Sequence, residues 1–196
     1  MTHNDIFQHL FSVVSSERFL KKQGLGNEVP FFICPYTPER AVEMGRLQEQ
    51  LIKRLAESGK QVLSINLYDL TLDLLEQEGD LEWLLENETS LTKEKLLEEL
   101  QGILDVETVL IPAIAQTLQA EPYDVLLLTG IGEVFPYIRS HNVLNNLQST
   151  AKEKPTLMFF PGDYIHSLET GASLELFGRL RDDKYYRAFN IFHYEA

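Results

Sequence analysis

The chain has 196 residues, 44% of them apolar and 24% charged, which is typical of one globular domain, so a disordered chain is not the expected state. Its 30 acidic and 17 basic residues give a net charge of −13, which disfavours nucleic-acid binding because phosphate contacts depend on Lys and Arg. The apolar runs are short and the first residues are polar, so we expect neither a membrane span nor a secretion signal.

The elements follow in chain order. Residues 1–24 predict an N-terminal helix that Asn4 can cap. Residues 29–34 predict a buried strand, Thr37-Pro38 predicts a helix start, and residues 61–66 predict a second strand, so these two strands should be parallel.

Residues 68–120 predict an acidic helical insert, with a kink or break at Pro112. The stretch 69–107 holds 13 acidic and two basic residues, whereas the rest of the chain is nearly balanced with 17 and 15. This charge indicates either a solvated surface or a docking surface for a basic partner.

Residues 124–129, 156–160 and 188–192 predict three more strands. We therefore expect a single α/β domain over residues 1–196, with a mostly parallel five-stranded sheet between helices on both faces. It should resemble a P-loop NTPase core that lacks the Walker A loop. The loop is judged absent because the first strand is followed by Pro35 and Pro38 instead of glycines and a lysine. A likeness of fold carries no function by itself.

Candidate ligand-binding residues follow the third and fourth strands, where parallel sheets place their sites. They are Gly130, Gly132, Glu133 and Asp163. For the two glycines the alternative is a tight turn with positive φ.

The five histidines show no metal-ligand spacing, so we predict no metal site, and we expect no cofactor. The single cysteine, Cys34, excludes an internal disulfide and favours a reducing, cytoplasmic location. Cys34 could act as a nucleophile with His141 as its base, or it could be a core residue. No catalytic set is predicted.

Two segments are candidate interaction surfaces. The first carries Arg139, His141, Asn142 and Asn145 around a short helix, which could hold a peptide or an anion, or simply cap the helix. The second carries Arg179, Tyr185 and Tyr186, which suit a protein interface or, despite the neighbouring acids, an aromatic and basic nucleic-acid stripe.

Several ordered motifs carry a family resemblance. They are the segments 31–36, 66–69, 128–141, 144–148, 159–164, 176–180 and 185–189. Together they resemble the BrxB family of BREX systems, which protect bacteria against bacteriophage and also contain a methyltransferase, a large ATPase and a PglZ-type hydrolase.

The resemblance implies a role beside those proteins and supplies no catalytic one. We expect a non-catalytic adaptor that acts by protein–protein interaction, most plausibly with the PglZ-like hydrolase. The alternatives are a sensor or enzyme that binds a small anion or nucleotide at the strand ends, and a DNA-binding accessory factor.

Overall fold

The structure is a computed structural model that describes residues 1–25, 29–167, 171–181 and 188–196. It has an α/β architecture. The strands are β1 Phe31–Tyr36, β2 Val62–Asn66, β3 Val125–Thr129, β4 Thr156–Ser167, β5 Gly171–Leu176, β6 Leu180–Arg181 and β7 Ala188–Asn190. The helices are α1 His3–Ser15, α2 Glu17–Leu20, α3 Ala41–Glu57, α4 Leu67–Glu78, α5 Asp80–Asn87, α6 Lys93–Ile103, α7 Ile111–Ala120 and α8 Ser140–Leu147.

Five strands form the parallel part of the sheet, in the order β2-β3-β4-β1-β7. They are the five strands that the sequence predicts. The first two predicted strands are parallel as expected, but they are not neighbours, because β3 and β4 lie between them.

The sheet has seven strands rather than five. Strand β4 continues through Pro161-Gly162 to Ser167, and β5 and β6 extend it as antiparallel strands. Proline and glycine usually weaken strands, which is why the predicted strand 156–160 is too short. Here Pro161 lies opposite Tyr36 in the parallel ladder, and Gly162 starts the antiparallel pairing with Leu176. We call residues 162–167, β5, β6 and the turn 177–179 between them the β4–β6 arm.

Helices cover both faces of the sheet, as predicted. Along β1, Phe31 and Ile33 face one core cluster while Phe32 and Cys34 face the other, because successive side chains of a strand point to opposite faces. Helices α1, α2 and α3 contribute to the cluster with Phe32 and form the α1–α3 face. Helices α4, α5, α7 and α8 contribute buried residues to the cluster with Phe31 and, with α6, form the α4–α8 face.

The N-terminal helix is two helices, and its cap differs from the prediction. Thr2, not Asn4, is the N-cap of α1: the Thr2 Oγ1 accepts from the Asp5 N–H at 3.2 Å and the Thr2 N–H donates to Asp5 Oδ2 at 2.8 Å. This reciprocal capping box needs an acid three residues after the cap, and Thr2 has one. Ser16 then ends α1 and caps α2.

The region 67–120 is helical as expected, and it packs as part of the α4–α8 face rather than apart from the sheet. The expected break near Pro112 is a π-helical turn, Val106–Leu110, after which α7 begins at Ile111. Proline is tolerated there because the first residues of a helix have no partner for their N–H groups.

By length and composition alone, the helical stretch Lys93–Ala120 could cross a membrane, although the short apolar runs predicted no membrane span. Leu110 and Ile114 of this stretch pack into the core of the sheet. Core helices of globular proteins have the same property, so the stretch does not establish a membrane location.

Candidate functional site

The carboxyl edge of the sheet brings three loops together. Strands β3, β4 and β1 are neighbours and parallel, so the loop after β1, the loop 130–139 after β3 and the β4–β6 arm all leave the sheet at this edge. The four candidate ligand-binding residues lie there. The arm is anchored at its base, since the Tyr164 hydroxyl donates to the Ala188 carbonyl oxygen at 2.7 Å.

Gly130 has a packing reason to be glycine. Its φ is +75°, and a methyl group on its Cα would overlap Asn66 Oδ1 and approach the Tyr68 nitrogen at 2.9 Å. That same Asn66 oxygen caps α4 by accepting from the Tyr68 N–H at 2.9 Å. The positive φ predicted as the alternative for this residue is therefore observed, and it serves the attachment of α4.

Gly132 allows the arm to approach the loop. A Cβ at Gly132 would lie 3.0 Å from Pro161 Cγ and 3.1 Å from the ring of Phe177. The Phe177 ring also meets Phe135 edge to face, with 6.5 Å between the ring centroids. The positive φ predicted as the alternative is thus observed at Gly130 and not at Gly132, and at both positions the glycine makes room for contacts within the protein.

The two acidic candidates, Glu133 and Asp163, are exposed at this edge. Burial is the main cause that raises the pKa of Tyr36 to about 12, and the nearby charge of Glu133 adds to it. Burial is also the main cause that raises the pKa of Tyr137, and Glu133 adds to it. An anion bound here would face two carboxylates, and this repulsion disfavours it.

Helix α8 places the predicted interaction residues on different sides, some towards the core and some towards solvent. His141 is 8% exposed and lies on the inner side of the helix, three residues before the buried Leu144. Asn142 and Asn145 are exposed, and Arg139 is half-buried at the N-cap. The structure therefore places Asn142 and Asn145 on the surface and leaves little of His141 for a contact.

The second predicted surface is described in part. Arg179 is exposed in the turn between β5 and β6, whereas Tyr185 and Tyr186 lie outside the described residues. Sequence reasoning missed three exposed apolar side chains of the arm: Ile165, Phe177 and Leu180, which are 42%, 37% and 41% exposed. The sequence does contain a signal for strand β5 of the arm. Ala172, Leu174 and Leu176 alternate with polar residues, as in a strand with one buried face.

Cys34 is a core residue, as the simpler interpretation predicted. It is fully buried on the α1–α3 face, and burial raises the pKa of its thiol, which disfavours the reactive thiolate. Helix α8, which carries His141, packs on the opposite face.

Within the described ranges, no group of three or more His, Cys, Asp or Glu residues is arranged to hold a metal ion.

The fold and this edge define an α/β protein with a parallel sheet and an antiparallel arm beside its strand ends. The family model described as "BREX protein BrxB" matches residues 63–191. A BREX protein BrxB of Bacillus cereus (strain H3081.97) is 32% identical over 192 residues, covering 96% of each chain. One of Escherichia coli O9:H4 (strain HS) is 29% identical over 180 residues, covering 92% of this chain and 86% of that protein.

The chain therefore belongs to the BrxB family, whose members are components of the multi-protein BREX defence systems. No solved structure matches it.

Proposed function

We propose that this protein is a non-catalytic adaptor in a BREX complex in the cytoplasm, and that it acts by binding other BREX proteins. Its membership of a family that belongs to a multi-protein defence system supports this role. The PglZ-like hydrolase is the preferred partner, on the family resemblance alone. In the same proposal, the sheet is a nucleotide-hydrolase-like core without a phosphate loop, and residues 68–120 are an insert in it.

The observation that carries the proposal is the composition of the β4–β6 arm. Phe177 and Leu180 expose apolar surface at the turn between β5 and β6, and the exposed Arg179 lies between them in sequence. Ile165 is also exposed, but it pairs with Ser173 while Leu180 pairs with Leu176, so it lies on the other face of the arm. Protein interfaces are enriched in aromatic residues and Arg, and their central apolar contacts carry most of the affinity.

The exposed amides of α8 can supply the polar part of such an interface. Asn142 and Asn145 belong to the helix that follows the loop 130–139, and the Phe135 ring of that loop contacts the arm through Phe177. The proposed contact surface therefore consists of the arm, with Arg179 at its turn, and the outer side of α8. Arg139, His141, Tyr185 and Tyr186 complete the predicted set.

The test is a pull-down of the tagged protein from cells that express the whole BREX gene cluster. We expect recovery of the PglZ-like hydrolase, and we expect the double variant Arg179→Glu, Leu180→Glu to lower that recovery at least about tenfold. Arg46→Glu, an exposed arginine on α3, is the matched control and should leave recovery unchanged.

Recovery of no BREX protein by the unmodified chain would overturn the adaptor proposal. Equal recovery by the double variant would instead remove the arm as the contact surface. In the first case the same protein can be tested for thermal stabilisation by nucleotides, which a ligand-binding sensor or enzyme should show. Salt-dependent retention of duplex DNA would support the DNA-binding alternative.

A further inference from the structure

A second surface, apart from the arm, has the properties of a docking groove. A groove of about 520 Å³ lies where α4 ends and α5 begins. Its lining residues are Glu76, Gly79, Leu81, Glu82, Leu85 and Glu86. The apolar side chains of Leu81 and Leu85 contribute to a groove that three glutamates surround.

The local sequence explains why the groove is open. Gly79 has a φ of +82°, so it ends α4 and allows α5 to start in a new direction. Leu75 of α4 and Leu84 of α5 face the core. Leu85 is consequently left on the outside and is 65% exposed, which is unusual for a leucine in an amphipathic helix.

The charges around the groove are of one sign. Glu76, Glu82 and Glu86 belong to the stretch 69–107, whose only bases are Lys93 and Lys95. None of the ion pairs in the described part of the chain involves these three glutamates. Their field remains available to a cationic partner, and it is screened by salt.

We propose that this groove binds a basic amphipathic helix of a partner protein. The partner's apolar side chains cover Leu81 and Leu85, while its Lys or Arg residues pair with the glutamates, as in other complexes where an amphipathic helix lies in an apolar groove. Nucleic acid and anionic membranes are repelled by the same charges. A second copy of this chain, with its own net charge of −13, is disfavoured for that reason too.

The groove is separate from the proposed adaptor surface on the β4–β6 arm and α8. Helix α4 begins at the carboxyl end of β2, the outer strand of the parallel order, and Gly79 follows 12 helical residues later, about 18 Å along the helix axis. The groove and the arm are therefore distinct, and a protein with both can contact two partners, or two parts of one partner.

The test uses a labelled synthetic amphipathic helix of Leu and Lys as the probe, with a Leu and Glu peptide of the same length as its counterpart. Fluorescence anisotropy should show micromolar binding of the basic peptide only, weakened about tenfold when salt rises from about 50 to 500 mM.

Variants locate the binding. Leu85→Lys, and separately the pair Glu82→Lys and Glu86→Lys, should each weaken binding about tenfold or more. The matched controls should change it less than about twofold. They are Val42→Lys, at a site that is 72% exposed on α3, and the pair Glu98→Lys and Glu99→Lys, which adds the same charge on α6 outside the groove.

The inference is overturned if the acidic peptide binds equally well, if the basic peptide does not bind, or if the α6 pair weakens binding as much as the α5 pair. The last result would show attraction to the whole acidic region and not to the groove. These measurements need no other BREX protein, so their failure is distinct from a failed pull-down.

Discussion

The two faces of the sheet are covered to different degrees. On the α1–α3 face, helix α3 buries Met44, Leu47, Leu51 and Leu55 completely. On the α4–α8 face, no residue of α6 is buried, although its stretch Lys93–Ile103 is amphipathic. An amphipathic pattern therefore does not decide how completely a helix is covered, which depends on what packs over it.

The segment around α2 and the C-terminal segment cover part of the α1–α3 face. Phe32 of β1 packs against Phe19, with 4.6 Å between ring centroids, and against Tyr194, at 5.1 Å. The Tyr194 hydroxyl donates to the Gln23 carbonyl oxygen at 2.9 Å, which ties the C-terminal segment to the turn after α2. The α4–α8 face lacks such a cover over α5 and α6 in the described part of the chain, and Leu85 remains on the surface.

The first prediction compares the same substitution, leucine to alanine, on the two faces of the sheet. Leu51→Ala, in α3, should lower the free energy of unfolding by about 2–5 kcal/mol, because it leaves a cavity in a packed core. Leu97→Ala, at a half-buried site of α6, should lower it by less than about 1.5 kcal/mol. Urea unfolding measures both values. Equal losses would show that the α4–α8 face is as tightly packed as the other.

The second prediction concerns the attachment of the α4–α8 face. Gly130→Ala should lower the free energy of unfolding by about 2 kcal/mol or more, because the methyl group needs the space of the Asn66 side chain and the φ of +75° disfavours alanine. Thermal unfolding gives this value. The α4 amides should also exchange faster with deuterium, since their N-cap is displaced.

The matched control is Gly45→Ala on α3. A Cβ there meets nothing within 4 Å, and alanine is the better helix former, so this variant should raise stability by about 0.5–1 kcal/mol. Destabilisation by both substitutions would contradict the role assigned to Gly130.

The third and smallest effect concerns a partly exposed ion pair between Arg40 and Glu43 at the start of α3. The hydrogen bond from Arg40 lowers the pKa of Glu43 from its ordinary value of 4.5 to about 2, with a smaller contribution from His3. A lowered folded-state pKa means that this interaction stabilises the protein above about pH 4.5 and is lost as the pH falls towards 2. The stability effect should be small because water reaches both side chains, which are 30% and 36% exposed, and screens the pair.

Arg40→Gln should return the pKa of Glu43 towards 4.5, which a carboxyl NMR titration can follow. Arg54→Gln removes the comparable pair with Glu57 and should leave the Glu43 titration unchanged. A Glu43 pKa that stays near 2 without Arg40 would assign the shift to another neighbour, and His3 is the first to test.

Patterns within the sequence determined the parallel strands, the helices between them and the place of Cys34. Strand alternation, helical periodicity and the turn residues are local properties, so the residues themselves carry them. The family could also be identified from ordered motifs, and the comparisons confirm it.

The tertiary structure decided the features that depend on distant neighbours. Gly132 leaves room for Phe177, 45 residues later, which would lie in tight contact with a Cβ at this position. Strand β4 continues through Pro161-Gly162 because β5 pairs with it. His141 lies inside because α8 turns that side towards the core, and Leu85 lies outside because nothing in the described chain covers it. Which apolar residues stay exposed depends on the packing of whole elements, and no local pattern contains that information.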